Sequence, residues 1–322
     1  MRVICYVFKL LLRPGKKMDE WDISRCAVLA LLLEVSAYPK PGNVSRRHDF
    51  AGTKYEHFLA SAVALSPVFY EAARFGMRDE TSGRIGLLVK RGVEESMRWQ
   101  SGGNTHFGSI LLLVPLAMAA GSVERVQGIA NAGEEAVKKR RAGEIQRKAT
   151  EIVRRSTVED AVLLYEAFPK AKVRVSPVRY LDVRDPASLK EIRRRGLTLH
   201  DILAISAAYD KISAEIVEGF PRTFRYAEML LQMRSQHTVC DAISYAYLHL
   251  LAVEEDTFVR MKCGEEASKY VRERAYSILK HRAWRELEAF DDELVERGIN
   301  PGSTADVIAA AIFVALLCGF EV

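Results

Sequence analysis

Residues 101–121, SGGNTHFGSILLLVPLAMAAG, constrain the chain most. From Phe107 to Ala120 this stretch is almost wholly apolar. A helix that is apolar all round must be buried on all sides. The rest of the chain therefore has to build a shell of helices around it. Gly102 and Gly103 let the backbone turn sharply just before it, and Asn104 or Thr105 can cap its first turn. The free N–H groups and the helix dipole favour an anion at that end. Polar groups at the mouth of a buried helix point to a ligand site; an ordinary capped core helix is the alternative, since such caps are common.

The C-terminus repeats this logic. Residues 297–322 read RGINPGSTADVIAAAIFVALLCGFEV. Pro301 to Thr304 form a turn and cap, Asp306 falls in the first helical turn, and an apolar helix follows. Asp306 is favourable there for the dipole alone. Two buried helices that begin in Gly, Ser and Thr turns make a pair of N–H nests suited to a polyphosphate.

The remaining segments read as helices. Apolar residues recur at helical spacing from Asp19 to Ala37, and Glu34 falls on the apolar face with Ala27, Ala30 and Leu31. A buried carboxylate there is costly unless something pairs with it; a partly exposed Glu at a helix end is the alternative. Tyr38 to Phe50, YPKPGNVSRRHDF, is a stiff loop with Lys40, Gly42, Asn43 and Arg46, a candidate phosphate clamp or a solvated connection. Further helices are expected over 53–76 (kinked at Pro67), 80–99, 123–155, 158–168, 189–195, 198–218, 224–234, 239–253 and 265–289. Residues 170–186 read as an extended surface linker, and 254–264 as a loop. Asp210 lies on a small-residue face of its helix, and Asp256 closes an acidic triplet that could bind a metal or a sugar hydroxyl. The basic run from Lys138 to Arg155 has few aromatic residues interleaved, which fits a solvated face better than a nucleic-acid surface.

No segment shows sustained period-two alternation, and the phosphate-loop, dinucleotide, nucleophile-elbow and zincin motifs are absent. The fold expected is all-α, one globular domain of roughly a dozen helices. The first 17 residues, MRVICYVFKLLLRPGKK, are broken by Lys9 and too short to span a membrane. They read as a dispensable extension ahead of a domain over 18–322. Five scattered cysteines without a CxxC pair fit a reducing cytoplasm. A net charge of +5 suits an anionic substrate as well as nucleic acid and does not choose between them.

Three blocks, EVSAYPKPGNV (34–44), GGNTHFGSILLL (102–113) and NPGSTADVIAA (300–310), together resemble the triphosphoribosyl-dephospho-CoA synthases. The weaker pieces YDKISAEIVEGFP (209–221) and EDTFVR (255–260) also fit, and HFLASAVALSP (57–67) is most similar to the archaeal-type branch. The resemblance implies an all-helical enzyme. It would transfer the 5-triphosphoribosyl group of ATP to the 2′-hydroxyl of dephospho-CoA and release adenine, in the making of an acyl-carrier prosthetic group. ATP and dephospho-CoA would be its small-molecule partners, with Mg²⁺ as cofactor; neither membrane nor nucleic acid is implied, and a homo-oligomer is compatible.

By the same resemblance Glu34, His106 and Asp306 are the catalytic candidates, His106 as a polar contact to the leaving base or a phosphate. Lys40, Gly42, Asn43, Arg46, Gly102, Gly103, Asn104, Thr105, Gly302 and Ser303 would hold the triphosphate, and Asp256 and Asp210 are metal candidates. Ser45 and Phe107 stand where family members often carry Asp or His, and Lys. The missing lysine leaves open a related ribosyl or phosphoribosyl transferase with another acceptor, or a nucleotide-binding protein without turnover.

Overall fold

A computed structural model describes residues 17–50, 52–126, 134–171 and 181–322. Helix α1 (Glu20–Ser36) starts at Asp19, whose carboxylate accepts the Asp22 N–H at 2.8 Å while Asp22 returns the bond. Helices α2 (Tyr55–Ala64) and α3 (Ser66–Arg78) replace the single helix expected over 53–76. The break falls at Leu65, because Pro67 has no N–H to continue the ladder. Helix α4 (Ile85–Trp99) leads into α5 (Phe107–Val126), the apolar element named above. Then come α6 (Glu134–Arg154), α7 (Val158–Ala171), α8 (Ala187–Arg195), α9 (Leu199–Ser206), α10 (Lys211–Val217) and α11 (Pro221–Met233). The chain ends with α12 (Val239–Val253), α13 (Thr257–Cys263), α14 (Glu265–His281), a short turn at Trp284–Glu286, α15 (Leu287–Glu296) and α16 (Gly302–Leu317). Among the described residues there is no strand, only an isolated bridge between Phe50 and Thr53. The all-α, single-domain expectation holds.

Beyond shifts of a few residues at helix ends, four expected boundaries change. Residues 123–126 finish α5 instead of starting the basic helix. Helix 198–218 is two helices, because the Asp210 carboxylate accepts the Ser213 N–H at 2.8 Å and the Ser213 hydroxyl at 2.6 Å, starting a new helix. The loop 254–264 contains α13, capped by Asp256. Helix 265–289 stops at His281, with Arg282 in the left-handed region at φ 52°. The extension read over 1–17 lies outside the described residues except Lys17, as do 172–180 of the linker reading and 127–133 of the long basic helix.

Helix α5 is wrapped by α1, α3, α4, α6, α10 and α16. Phe107–Arg125 is long and apolar enough to cross a membrane, but 94% of it is buried inside the protein, so its apolar length serves the core. Glycines set its closest crossing. A Cβ on Gly121 would stand 2.1 Å from the Ala73 carbonyl oxygen, and one on Gly76 would stand 1.9 Å from that of Met118. Backbone therefore meets backbone between α3 and α5. Gly121→Ala is expected to cost about 2–3 kcal/mol through overpacking, read as a lower urea midpoint at unchanged slope. An unchanged midpoint would show that the two helices slide apart freely.

The basic helix is neutralised locally. Glu151 pairs with Lys148 at 2.8 Å and Arg155 at 3.0 Å, and Arg140 pairs with Glu144 at 2.9 Å. Arg141 turns inward to the buried Glu124. The described cysteines, Cys26, Cys240, Cys263 and Cys318, are free.

Candidate active site

The loop after α1 is folded inward by distant groups. Gly42 has φ 75°, and a Cβ on it would stand 2.4 Å from the Ile299 carbonyl oxygen. Only glycine fits there. Its N–H donates to Asp291 Oδ1 at 2.8 Å, and the Tyr247 hydroxyl donates to the Pro41 carbonyl at 3.1 Å. The Asn43 amide donates to Asn300 Oδ1 at 3.3 Å, tying this loop to the turn that starts α16.

That folding buries Lys40 completely and pairs it with Glu34. The lysine therefore answers the cost of the Glu34 carboxylate instead of reaching for a ligand. Burial pushes the Glu34 carboxyl up, and the Lys40 charge and hydrogen bond pull it back. Of the expected phosphate clamp, Asn43 reaches the pocket, Gly42 is a packing point, and Arg46 is exposed to solvent away from it.

The mouth of α5 is held by local bonds. Asn104 Oδ1 accepts the Phe107 N–H at 3.0 Å, the expected cap. Gly102 gives its N–H to the Gln100 side chain, and the Gly103 carbonyl accepts from Gln100 at 2.7 Å. The glycine pair thus shapes the turn while Asn104, Thr105 and His106 line the cavity. Further along, Ser109 donates to Asp306 Oδ1. A Cβ on Gly108 would stand 2.2 Å from Asp306 Oδ2, so this glycine lets the carboxylate sit against α5. Burial, with the nearby charges of Glu34 and Asp256, pushes Asp306 up to about 7 against the Ser109 hydrogen bond.

Asp256 has a structural task. Its Oδ1 accepts the N–H groups of Phe258 and Val259 at 2.9 and 3.0 Å, and its Oδ2 accepts the Thr304 N–H and hydroxyl, both at 2.7 Å. One buried carboxylate caps α13 and α16 together. With both oxygens taken it does not line the cavity, and the metal reading of Asp256 gives way to this capping one. Asp210 caps α10 and does line the cavity, and burial raises its carboxyl.

The resulting cavity has a mixed lining. Its polar residues include Glu34, Asn43, His106, Asp210, Asn300 and Asp306. Its apolar residues include Phe107, Leu111, Tyr165, Phe168 and Ile202, with the Phe107 and Phe168 ring centroids 5.0 Å apart. The N-termini of α5 and α16 both open on the cavity, together with Gly302 and Ser303. Among the described residues no Lys or Arg lines it. Reading residue types alone misses Ser109, Asn300, Thr257, Tyr165 and Phe168. Asn300 and Ser109 lie inside the shared blocks, but nothing local distinguishes them from packing residues.

Among the described residues no group of three or more His, Cys, Asp or Glu forms a metal cage.

The model of the family described as ATP:dephospho-CoA triphosphoribosyl transferase matches residues 20–321. A protein of Streptococcus equi subsp. equi named 2-(5''-triphosphoribosyl)-3'-dephosphocoenzyme-A synthase is 27% identical, covering 92% of this chain and 96% of its own. A Pseudomonas putida protein of the same name is also 27% identical, covering 94% and 96%. A crystal structure from Archaeoglobus fulgidus, named for triphosphoribosyl-dephospho-CoA synthase, superposes with a TM-score of 0.64 at 32% identity, covering 83% of this chain and all of that one. The match spans the helices that line the cavity, and the chain belongs to the ATP:dephospho-CoA triphosphoribosyl transferase family.

Proposed function

We propose that this cavity transfers the 5-triphosphoribosyl group of ATP to the 2′-hydroxyl of dephospho-CoA and releases adenine. The observation that carries the reading is the meeting of two long-helix N-termini with two buried carboxylates, Glu34 and Asp306, in one cavity. The helix ends offer partial positive charge to phosphate oxygens, together with the first-turn N–H groups that Asn104, Asp256 and Asp306 do not already occupy. The carboxylates face the other requirement, a sugar carbon that turns cationic as its bond to the base breaks.

A bare triphosphate would be repelled by Glu34, Asp210 and Asp306; a metal–nucleotide complex would not. The donor set fits Mg²⁺, which is held by one or two carboxylates plus substrate phosphates and needs no all-protein cage. When bound, the ion would neutralise phosphate charge.

The chain's own groups divide the chemistry. The bond from C1 of the ribose to adenine N9 breaks, and the bond from C1 to the acceptor oxygen forms. Asp306, with its carboxyl near 7, is poised to take the hydroxyl proton. Glu34, paired with Lys40, is placed to stabilise the cationic sugar carbon when ionised. The hydroxyl proton equals in number the proton that adenine takes up on leaving, so no other reactant is required.

The test is to incubate the protein with ATP and Mg²⁺, with and without dephospho-CoA, and to measure free adenine by chromatography. Adenine is expected only with dephospho-CoA. Adenine formed with a different acceptor would replace the acceptor assigned here, and ATP binding without adenine under any condition would overturn the transfer reading.

A further inference from the structure

His106 lies on the wall of the cavity, almost wholly buried, and its Nε2 has no hydrogen-bond partner among the described residues. Its other ring nitrogen, Nδ1, is 2.8 Å from the Ser61 hydroxyl. Ser61 Oγ is 2.7 Å from Ser96 Oγ, and Ser96 Oγ is 3.4 Å from Thr105 Oγ1. Both serines are buried, while Thr105 is half-buried on the cavity wall. The Phe58 ring packs edge-on against the imidazole, with centroids 5.1 Å apart.

Counting hydrogens gives this chain a direction, because each hydroxyl has one to donate. With the ring proton on Nδ1, Ser61 gives its hydrogen to Ser96. Ser96 is then left with Thr105 at 3.4 Å, too long to satisfy a buried donor. With Nδ1 bare, Ser61 donates to it at 2.8 Å and Ser96 donates to Ser61 at 2.7 Å. Both buried hydroxyls then make short bonds, and the hydroxyl of Thr105 is free for water or substrate.

We propose that Ser61 and Ser96 lock His106 as the Nε2–H tautomer, so that a neutral imidazole aims an N–H donor into the cavity at the departing purine. The inference rests on the reading of this cavity as the place where adenine leaves. Ser61 and Ser96 are positioning residues, and of these three only His106 touches the substrate. Burial, with Lys40 nearby, pushes the imidazole down to about 3, so the ring is uncharged across the physiological range. It serves as a hydrogen-bond donor and not as a proton source, a use of neutral histidine known from other enzymes. The purine gains negative charge as its bond to the sugar breaks, and a fixed donor is worth most where charge develops. The other tautomer would turn a lone pair toward the ring nitrogens of the base and repel it.

The experiment is long-range proton–nitrogen NMR on protein labelled with ¹⁵N-histidine, with His106→Gln used to assign the signal. The expected result is an Nε2–H tautomer for His106 across pH 5 to 8. In Ser61→Ala the tautomers should mix, and kcat should fall about tenfold while KM for ATP stays within about twofold, the split expected when transition-state stabilisation is lost. Ser61→Thr should restore both. If Ser61→Ala fails to fold, Ser61→Cys, whose thiol is only a weak donor to Nδ1, supplies the same comparison. An Nδ1–H tautomer in the wild-type protein, or an unchanged tautomer in a folded Ser61→Ala protein, overturns the proposal. A rise in KM at constant kcat also overturns it, by moving the contact to the ground-state nucleotide. The spectrum requires no turnover. A protein that releases no adenine yet shows the Nε2–H tautomer sinks the transfer reading alone, and one that releases adenine with the Nδ1–H tautomer sinks this inference alone.

Discussion

Glu34→Gln is expected to cut adenine release from ATP by at least about a hundredfold. Glutamine keeps the shape of the side chain and an acceptor for Lys40, but not the charge that a cationic sugar carbon would meet. The substitution also strips Lys40 of its counter-charge in a fully buried position. Removing one partner of a buried pair costs about 3–5 kcal/mol, and less where Lys40 can shed its proton. The stability loss and the activity loss can be separated. Glu34→Gln combined with Lys40→Met replaces the pair by groups that carry no charge, and should recover most of the urea midpoint while adenine release stays low. If the double variant regains turnover along with stability, Glu34 acts only through folding. Near-normal turnover in Glu34→Gln removes the carboxylate from the mechanism.

Asp306→Asn is expected to lower adenine release by about 10²- to 10³-fold and to change two pH profiles in opposite senses. The folded-state carboxyl is raised to about 7 from its ordinary value of 3.8. The folded protein therefore holds this proton more tightly than the unfolded chain. The stability it contributes is fully present below the unfolded value and is lost as pH rises through about 7. A base that must be ionised works in the other direction, so adenine release should rise through the same range. Asparagine removes both dependences. The difference between wild-type and Asp306→Asn urea midpoints should grow in favour of the variant from pH 5 to pH 8. Asp210 and Asp291 are also raised, but they are not among the groups that shift Asp306 and cancel in this difference; Glu34, whose charge helps raise Asp306, does not cancel, so the same comparison is made in the Glu34→Gln background. A flat difference would show that Asp306 is ionised throughout.

The sequence was most informative where the determinants are local. Apolar residues without a polar face announced α5 and α16 as core helices, and Asn104 caps the first of them as its residue type predicts. Asp210 shows where local reading fails. Its spacing fitted a helix face, yet its carboxylate does better by starting a new helix at Ser213, a competition that periodicity does not register. Lys40 was misleading for a different reason. A lysine in a polar loop has water as its default partner. It goes inward here because Gly42, Asp291 and Tyr247 fold the loop onto the turn before α16.

The sequence by itself determined the all-helical fold, the two buried helices with polar mouths, and the blocks that carry the family. Those properties depend on side-chain type at helical spacing, over at most a few turns of chain. Only the tertiary structure decided which polar groups meet. Glu34 neutralises Lys40, Asp256 caps Thr304 across 48 residues, and Ser96 reaches His106 through Ser61, 35 and 45 residues away in sequence. Hydrogen bonds act over about 3 Å, and no residue's own spacing reveals who lies within that range once helices pack.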